Sequence, residues 1–159
     1  MQKIIQGIVP NIIKIAPLVK ILKNYALNNP NKLSIKICIT AQHRQLLDQM
    51  LEMFSISPDY DLDIMQTNQD LYNLSSRILL KVKDVLNDYE PDLVFVHGDT
   101  TTAFISSLAS FYKQIEVAHI EAGLRTNNIY SPWPEEANRQ LISNLTSLHF
   151  SPTTDAKKI

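Results

Sequence analysis

The sequence contains little cysteine and little glycine, with one cysteine and three glycines among 159 residues. A single cysteine cannot form a disulfide within the chain, and one cysteine is not a metal site. Cys38 stands between Ile37 and Ile39 in an apolar run. This setting is typical of a small buried side chain rather than a reactive thiol.

Long apolar stretches are also missing. No run approaches the ~20 apolar residues that a membrane-spanning helix needs. The opening residues, MQKII, lack the long apolar segment and small-residue cleavage site of a signal peptide. We therefore expect a cytoplasmic protein without a membrane partner.

Neither sign of charge is in excess. The chain carries 15 basic and 16 acidic residues, for a net charge of -1, and the basic residues form no long cluster. This balance argues against a nucleic-acid partner held by a basic patch. The length suits one domain, and a hydrophobic fraction of 45% is enough for one core.

Several cofactor and catalytic motifs are absent. No G-x-G-x-x-G follows the first expected strand, which argues against a nicotinamide or flavin dehydrogenase. There is no Walker A motif, no zinc spacing and no G-x-S-x-G. The histidines at positions 43, 97, 119 and 149 do not make a metal set, and His149, in an apolar strand, is expected to be structural. We expect neither a metal nor a cofactor.

The chain does contain short apolar runs that alternate with helical periodicity. The expected strands cover residues 4–5, 33–40, 92–97, 116–120 and 148–150, and the expected helices cover 11–27, 42–54, 70–88, 100–112 and 134–145. Residues 59–65 are expected to form an extended connector, and 153–155 to begin another helix. This alternation predicts an α/β fold, a Rossmann-like parallel sheet with helices on both faces.

Two helices carry more detailed expectations. Pro17 predicts that the first helix bends there or begins near Ala16. In the second helix the apolar spacing predicts five buried side chains, Leu46, Leu47, Met50, Leu51 and Phe54.

The three glycines, Gly7, Gly98 and Gly123, each lie at or just after the carboxyl end of an expected strand. Open α/β sheets bind their ligands in the crevice at that edge. The alternative is that these glycines only ease tight strand-to-helix turns.

Polar residues follow two neighbouring strands at this edge. Asp99 lies in the segment HGDTTT (97–102), at or near the N-cap of a helix, and could be a plain capping aspartate. Glu121 lies in HIEAGLR (119–125), where it could face the crevice or pair with Arg125 for structure.

Two further segments are unusually polar. In SPWPEEANR (131–139), Pro134 suits the first helical position and acids suit the first turn, but these preferences explain one glutamate and not the whole motif. The segment TAQHRQ (40–45) is a polar cluster at the crevice edge or an ordinary helix start. Asp99, Glu121 and Glu135 thus stand on successive crevice loops, where carboxylates facing a sugar could move protons and stabilise an oxocarbenium ion.

These segments, with LDQ (47–49), PDYDL (58–62) and HFSPT (149–153), resemble the non-hydrolysing UDP-N-acetylglucosamine 2-epimerases over nearly the whole chain. The run WPEEANR favours this branch over a glycosyltransferase or a hydrolysing epimerase of the same fold. The resemblance implies a two-domain, glycosyltransferase-B-type fold, of which residues 1–159 are the N-terminal half and the C-terminal nucleotide-binding domain is absent. It also implies a homodimer in polysaccharide biosynthesis.

By resemblance, the enzyme interconverts UDP-N-acetylglucosamine and UDP-N-acetylmannosamine by eliminating and re-adding UDP, without a redox cofactor. The implied catalytic acids are Asp99, Glu121 and Glu135. The implied substrate-binding residues are Lys14, Gln42, His43, Gln45, Thr100, Arg125 and Arg139. Among these, Gln42, His43 and Gln45 match positions near a regulatory substrate site of bacterial members.

The chain departs from the family in its first loop. Residues 7–14 read GIVPNIIK where the family has GTRPEAIK, so Val9 and Asn11 replace an arginine and a glutamate. Replacing that arginine removes a guanidinium group, whose paired N–H donors are suited to binding phosphate. The family is also much longer than 159 residues. We expect the isolated chain to be inactive unless another chain supplies the second half; the alternative is a non-catalytic remnant that binds little.

Overall fold

The computed structural model describes residues 1–6, 12–40, 44–64 and 69–158, except for the side chains of Gln6, Ile12 and Gln45. In these ranges six strands alternate with five helices. Their bounds are β1 Gln2–Gln6, α1 Ile12–Asn28, β2 Leu33–Ile39, α2 Arg44–Phe54, β3 Tyr60–Asp61, α3 Leu71–Tyr89, β4 Leu93–His97, α4 Thr101–Tyr112, β5 Glu116–Ile120, α5 Glu135–Leu145 and β6 Leu148–Phe150.

The strands form one sheet in the order β3-β2-β1-β4-β5-β6, and every neighbouring pair is parallel. The chain therefore starts in the middle of the sheet, builds outward to one edge, and returns through β4 to build the other edge. All carboxyl ends lie along the same rim, and the order reverses between β1 and β4. This is the doubly wound arrangement whose crevice binds ligands. The predicted Rossmann-like fold is confirmed.

Strand β4 shows why the sheet is parallel and covered on both faces. All five of its residues are buried. Val94 and Val96 join the core beneath α3 and α4, whereas Leu93 and Phe95 join the core on the α1 side. A continuous apolar run is the pattern that burial on both faces requires.

Several local expectations were wrong. Leu46 is 57% exposed, because Leu47 and Leu51, one turn apart, form the buried face of α2 and Leu46 lies beside it. The expected connector at 59–65 contains β3, which adds an edge strand through the pair Cys38↔Tyr60. The expected helix at 153–155 is a turn, closed where the Ala156 backbone N–H donates to Thr153 Oγ1.

Helix α1 does not begin near Ala16, which was one of the two expectations for this helix. It begins at Ile12 and runs through Pro17 to Asn28. Proline inside a helix removes one backbone donor and crowds the carbonyl of the preceding turn. Ile15, Ala16 and Val19 are buried against the sheet, and this contact holds the helix together across the proline.

Cys38 is buried in the core, as the sequence predicts. Burial, with a smaller contribution from the charge of Asp61, raises the pKa of its thiol to about 12. The sulfur therefore stays protonated and unreactive at neutral pH. Among the helices that the structure describes, none is long and apolar enough to cross a membrane.

Candidate active site

The first loop of the site follows β4 and turns at Gly98. This residue has a φ of +72°, a left-handed conformation that side chains rarely adopt. An added Cβ would lie 3.8 Å from Glu121 Oε2, which is ordinary contact. The backbone conformation, rather than the space, therefore requires glycine. The turn is held where Gly98 N–H donates to the Ile120 carbonyl at 3.0 Å, joining the ends of β4 and β5.

Thr100, not Asp99, caps helix α4. Its backbone is extended, and its Oγ1 accepts a hydrogen bond from the Ala103 N–H at 3.2 Å. This satisfies one of the free donors at the helix start. The carboxylate of Asp99 is therefore not used as a cap.

Thr100→Ala should lower the free energy of unfolding by about 1 kcal/mol, because the helix loses its capping oxygen. The matched control is Thr101→Ala, since no described residue bonds the Thr101 hydroxyl. Urea unfolding followed by circular dichroism measures both variants. Equal stability of Thr100→Ala and wild type would contradict the capping role and would leave the Thr100 hydroxyl available to a ligand.

Helix α5 holds Asp99 at two points. Arg139 donates from Nε to Asp99 Oδ2 at 2.8 Å, and its Nη2 forms an ion pair with the same oxygen at 2.7 Å. Asn138 Nδ2 donates to the Asp99 backbone carbonyl at 2.9 Å. The loop after β4 and the helix after β5 are thereby joined, although their residues are far apart in sequence.

Glu121 immediately follows β5 and has a φ of +67°. Non-glycine residues rarely adopt this region, and such strain concentrates at functional sites. Lys14 of α1 donates from Nζ to Glu121 Oε1 at 2.6 Å, and His97 Nε2 lies 3.4 Å from Oε2. The carboxylate thus lies between a half-exposed cation and a buried imidazole.

The structural pairing of Glu121 with Arg125, left open by the sequence, does not occur. Arg125 donates from Nη2 to Ser143 Oγ and from Nη1 to the Leu124 carbonyl, each at 2.8 Å. Its guanidinium therefore joins the loop after β5 to helix α5.

Two buried histidines flank this rim on opposite faces of the sheet, because His97 pairs with Ile120 and His119 with Val96. His119 Nε2 hydrogen bonds to the Gly98 carbonyl at 2.7 Å, so Nε2 carries the proton. Burial lowers the pKa of His119 to about 4, against a smaller opposing effect of that hydrogen bond. Burial also lowers the pKa of His97, although Glu121 acts in the opposite direction.

Both rings leave Nδ1 buried without a hydrogen-bond partner among the described residues, and Thr40 Oγ1 is in the same condition. Because burial lowers the pKa of both rings below the usual value of 6.5, both histidines are neutral at pH 7. His149, expected to be structural, is exposed on the edge strand β6.

Glu135 and Glu136 are adjacent in α5 but differ in environment. Glu135 is partly exposed, and its carboxylate has no hydrogen bond or ion pair with any described residue. Glu136 is 0% exposed and accepts hydrogen bonds from Thr126, Arg139 and Gln140. Glu136 was not among the site residues predicted from the sequence. Its spacing of three residues from Arg139, which favours an ion pair on one helix face, was the available signal.

The structure thus brings most of the expected site residues to one rim. Asp99 contacts Arg139, and Glu121 contacts Lys14 and lies beside Gly98. Glu135 shares α5 with Arg139, Thr100 caps α4, and Arg125 bonds to a side chain of α5. Gln42, His43 and the side chain of Gln45 lie outside the described part of the chain.

This rim can bind cationic or polyhydroxylated ligands and can exchange protons with them. Two carboxylates are held by cations, and a third faces partly outward without a partner in the described ranges. No group of three or more histidine, cysteine or acidic side chains within those ranges could hold a metal ion.

The strand order and the polar rim define a Rossmann-like α/β domain with a ligand crevice at the carboxyl ends of its strands. A family model described as UDP-N-acetylglucosamine 2-epimerase matches residues 25–159. The chain belongs to this family.

Individual relatives agree with this assignment. The chain is 57% identical to a UDP-N-acetylglucosamine 2-epimerase of Campylobacter jejuni over 150 residues, which cover 94% of this chain and 38% of the relative. The solved UDP-GlcNAc 2-epimerase of Neisseria meningitidis, bound to UDP-GlcNAc, is 52% identical with a TM-score of 0.89, over 99% of this chain and 41% of that one.

Another solved structure is less similar in sequence. The Methanocaldococcus jannaschii UDP-GlcNAc 2-epimerase, solved with UDP-GlcNAc and UDP, is 32% identical with a TM-score of 0.83, over 98% of this chain and 41% of that one. The chain therefore spans about 40% of the length of these relatives.

Proposed function

We propose that this chain forms one wall of an active site that interconverts UDP-N-acetylglucosamine and UDP-N-acetylmannosamine. The observation that carries the proposal is the placement of Asp99 and Glu121 on neighbouring strand ends, each beside a cation. The chain is 57% identical to a relative named as such an epimerase, and another relative was solved with UDP-GlcNAc bound. A cytoplasmic, homodimeric enzyme of polysaccharide biosynthesis is part of the same proposal.

The reaction proceeds by elimination and re-addition. The bond from C1 to the UDP oxygen breaks and the C2 proton is removed, giving 2-acetamidoglucal and UDP. A proton then returns to the opposite face of C2, and UDP adds back at C1. The C2 hydrogen is not next to a carbonyl and is weakly acidic, so C1–oxygen cleavage leads and places positive charge at C1.

The residues at the rim suit these steps. Asp99, Glu121 and Glu135 stabilise the positive charge at C1, and one of them accepts the C2 proton. Lys14, half-exposed while paired with Glu121, can also contact a phosphate oxygen of the departing UDP. Arg139 acts on the site through its pair with Asp99.

Catalysis also needs a second Rossmann-like domain in this proposal. The chain corresponds to about 40% of the relatives' length, and a crevice with one wall admits water, which weakens every electrostatic contribution. Such a domain would close the crevice and contact the uridine and diphosphate.

The chain alone should give no UDP-N-acetylmannosamine from UDP-N-acetylglucosamine. A chimera in which this chain replaces the matched 150 residues of the C. jejuni relative should form it, with solvent deuterium at C2 when the reaction runs in D₂O. Proton NMR detects both products. Epimerisation by the chain alone would contradict the requirement for a second domain.

The competing function is a non-catalytic domain that binds little ligand, and the replacement of the expected first-loop arginine by Val9 favours it. The chimera separates the two when it is prepared with Val9 and with Val9→Arg. Activity only with Val9→Arg would favour the non-catalytic alternative, because the lost guanidinium group then accounts for the inactivity. Activity of the unmodified chimera would exclude it.

A further inference from the structure

Glu136 is a fully buried carboxylate in a position that no substrate can reach. It is 0% exposed in the first turn of α5, next to the partly exposed Glu135. An unpaired buried charge is costly, so buried carboxylates are hydrogen-bonded and paired. Burial acts to raise the pKa of Glu136, but the bonds from Gln140, Thr126 and Arg139 outweigh it, and the pKa is lowered. Glu136 is therefore ionised at pH 7.

The three donors to Glu136 come from two parts of the site. Thr126, on the loop after β5 that also carries Glu121, donates its backbone N–H to Oε2 at 3.1 Å. Arg139 donates from Nη1 to the same oxygen at 3.0 Å, and Gln140 donates from Nε2 to Oε1 at 3.1 Å. One carboxylate thus joins the Glu121 loop to the helix that carries Glu135.

Arg139 extends this connection to Asp99. Its Nε donates to Asp99 Oδ2, its Nη2 forms an ion pair with the same oxygen, and its Nη1 donates to Glu136, so all three nitrogens are engaged. The Arg139 side chain is only 13% exposed. Both Nε and Nη2 contact Oδ2. No described residue donates a hydrogen bond to Asp99 Oδ1. Arg139 fixes one oxygen of Asp99 and leaves the other available.

We propose that Glu136 is a positioning residue, which orients the Asp99 carboxylate through Arg139 so that Oδ1 faces the reacting sugar. This inference rests on the proposed function, since it assigns Asp99 to the reaction. Glu136 itself touches neither substrate nor reacting atoms. Removing its charge weakens the hold on Nη1 of Arg139, and the guanidinium then turns and takes Asp99 Oδ2 with it.

A purely structural role for Glu136 is the alternative. It predicts a less stable protein whose folded state keeps the same Arg139–Asp99 geometry. The positioning role predicts a changed geometry in the folded state itself. The two roles are therefore separated by a spectroscopic measurement on folded protein, which needs no substrate and stands whether or not the chain takes part in epimerisation.

The experiment compares Glu136→Gln with Glu135→Gln in the 159-residue chain. Both variants make the same chemical change on adjacent residues of one helix. NMR measures the water exchange of the Arg139 Nε–H and the chemical shift of the Asp99 carboxyl carbon at fixed pH, with Arg139→Lys assigning the first signal. Glu136→Gln should speed the exchange about tenfold or more and should move the Asp99 signal, because a neutral amide oxygen holds Nη1 of Arg139 less strongly than the carboxylate does and the guanidinium can then turn. Glu135→Gln should change neither.

Unchanged Arg139 and Asp99 signals in folded Glu136→Gln would overturn the positioning role. A second measurement uses wild-type protein and can be made even if this variant does not fold. Arg139 Nε–H should exchange about tenfold or more slowly than the Nε–H of Arg44, which bonds Asp48 on the exposed surface with half of its side chain in solvent. Equal exchange rates of the two arginines would show that Arg139 is not clamped and would likewise overturn the proposal.

Discussion

Asp99→Asn should lower the kcat/KM of the chimeric epimerase by about a thousandfold. Asparagine keeps the size of the side chain and an acceptor for Arg139, but it loses the negative charge that Arg139 orients. It can neither stabilise the charge at C1 nor accept a proton. The loss should therefore fall mainly on kcat, since the interaction is made in the transition state rather than in substrate binding.

The measurement follows UDP-N-acetylmannosamine formation and deuterium incorporation at C2 in parallel. The control is Asp84→Asn, which makes the same change on the exposed surface of α3. If the Asp99→Asn chimera keeps its rate within about tenfold of the parent chimera, Asp99 is not one of the catalytic acids.

The second large effect is a loss of stability in acid that depends on His119. Its pKa is lowered by burial from 6.5 to about 4, so the unfolded chain binds a proton that the folded chain does not over that range. The contribution of His119 to stability is therefore complete above the pKa of the unfolded chain, 6.5. It is lost as the pH decreases from about 6.5 toward 4. The shift corresponds to a loss on the order of 3 kcal/mol.

Urea unfolding at several values between neutral pH and pH 4 tests this expectation. His119→Gln, which keeps a donor for the Gly98 carbonyl, should lose less stability across the range than wild type, by on the order of 3 kcal/mol. His149→Gln, on the exposed edge strand, should follow the wild-type profile. Parallel profiles for wild type and His119→Gln would show that the ring is not forced to stay neutral.

The strands of the sheet could be predicted from the sequence because each strand is recognised from its own short run of side chains. Four consecutive apolar residues in β4, Leu93 to Val96, leave no polar face, and only a strand covered on both sides accommodates them. Strands β5 and β6 have the predicted bounds. The burial of Leu46 was wrong for a different reason. Helical spacing gives the apolar side of α2, but only tertiary contact determines which part of that side is covered.

The candidate site was predicted in outline, and its contacts were not. Polar residues after parallel strands must meet at one rim, which is why Asp99 and Glu121 could be grouped from sequence. The partners depend on side-chain directions across elements. Lys14 rather than Arg125 pairs with Glu121, and of two adjacent glutamates Glu136 is buried. Adjacent helical residues differ by about 100° in direction, and sequence alone does not show which faces inward.

The central position of β1 has a consequence for synthesis on the ribosome. The first strand made can pair at once with β2, but its other neighbour, β4, is separated from it by almost ninety residues, as the pairs Ile4↔Leu93 and Ile5↔Val94 show. Until β4 emerges, a nascent chain holds its middle strand as an open edge, which invites pairing with other chains. Chaperone binding to stalled nascent chains should therefore fall sharply once residues 93–97 have left the exit tunnel.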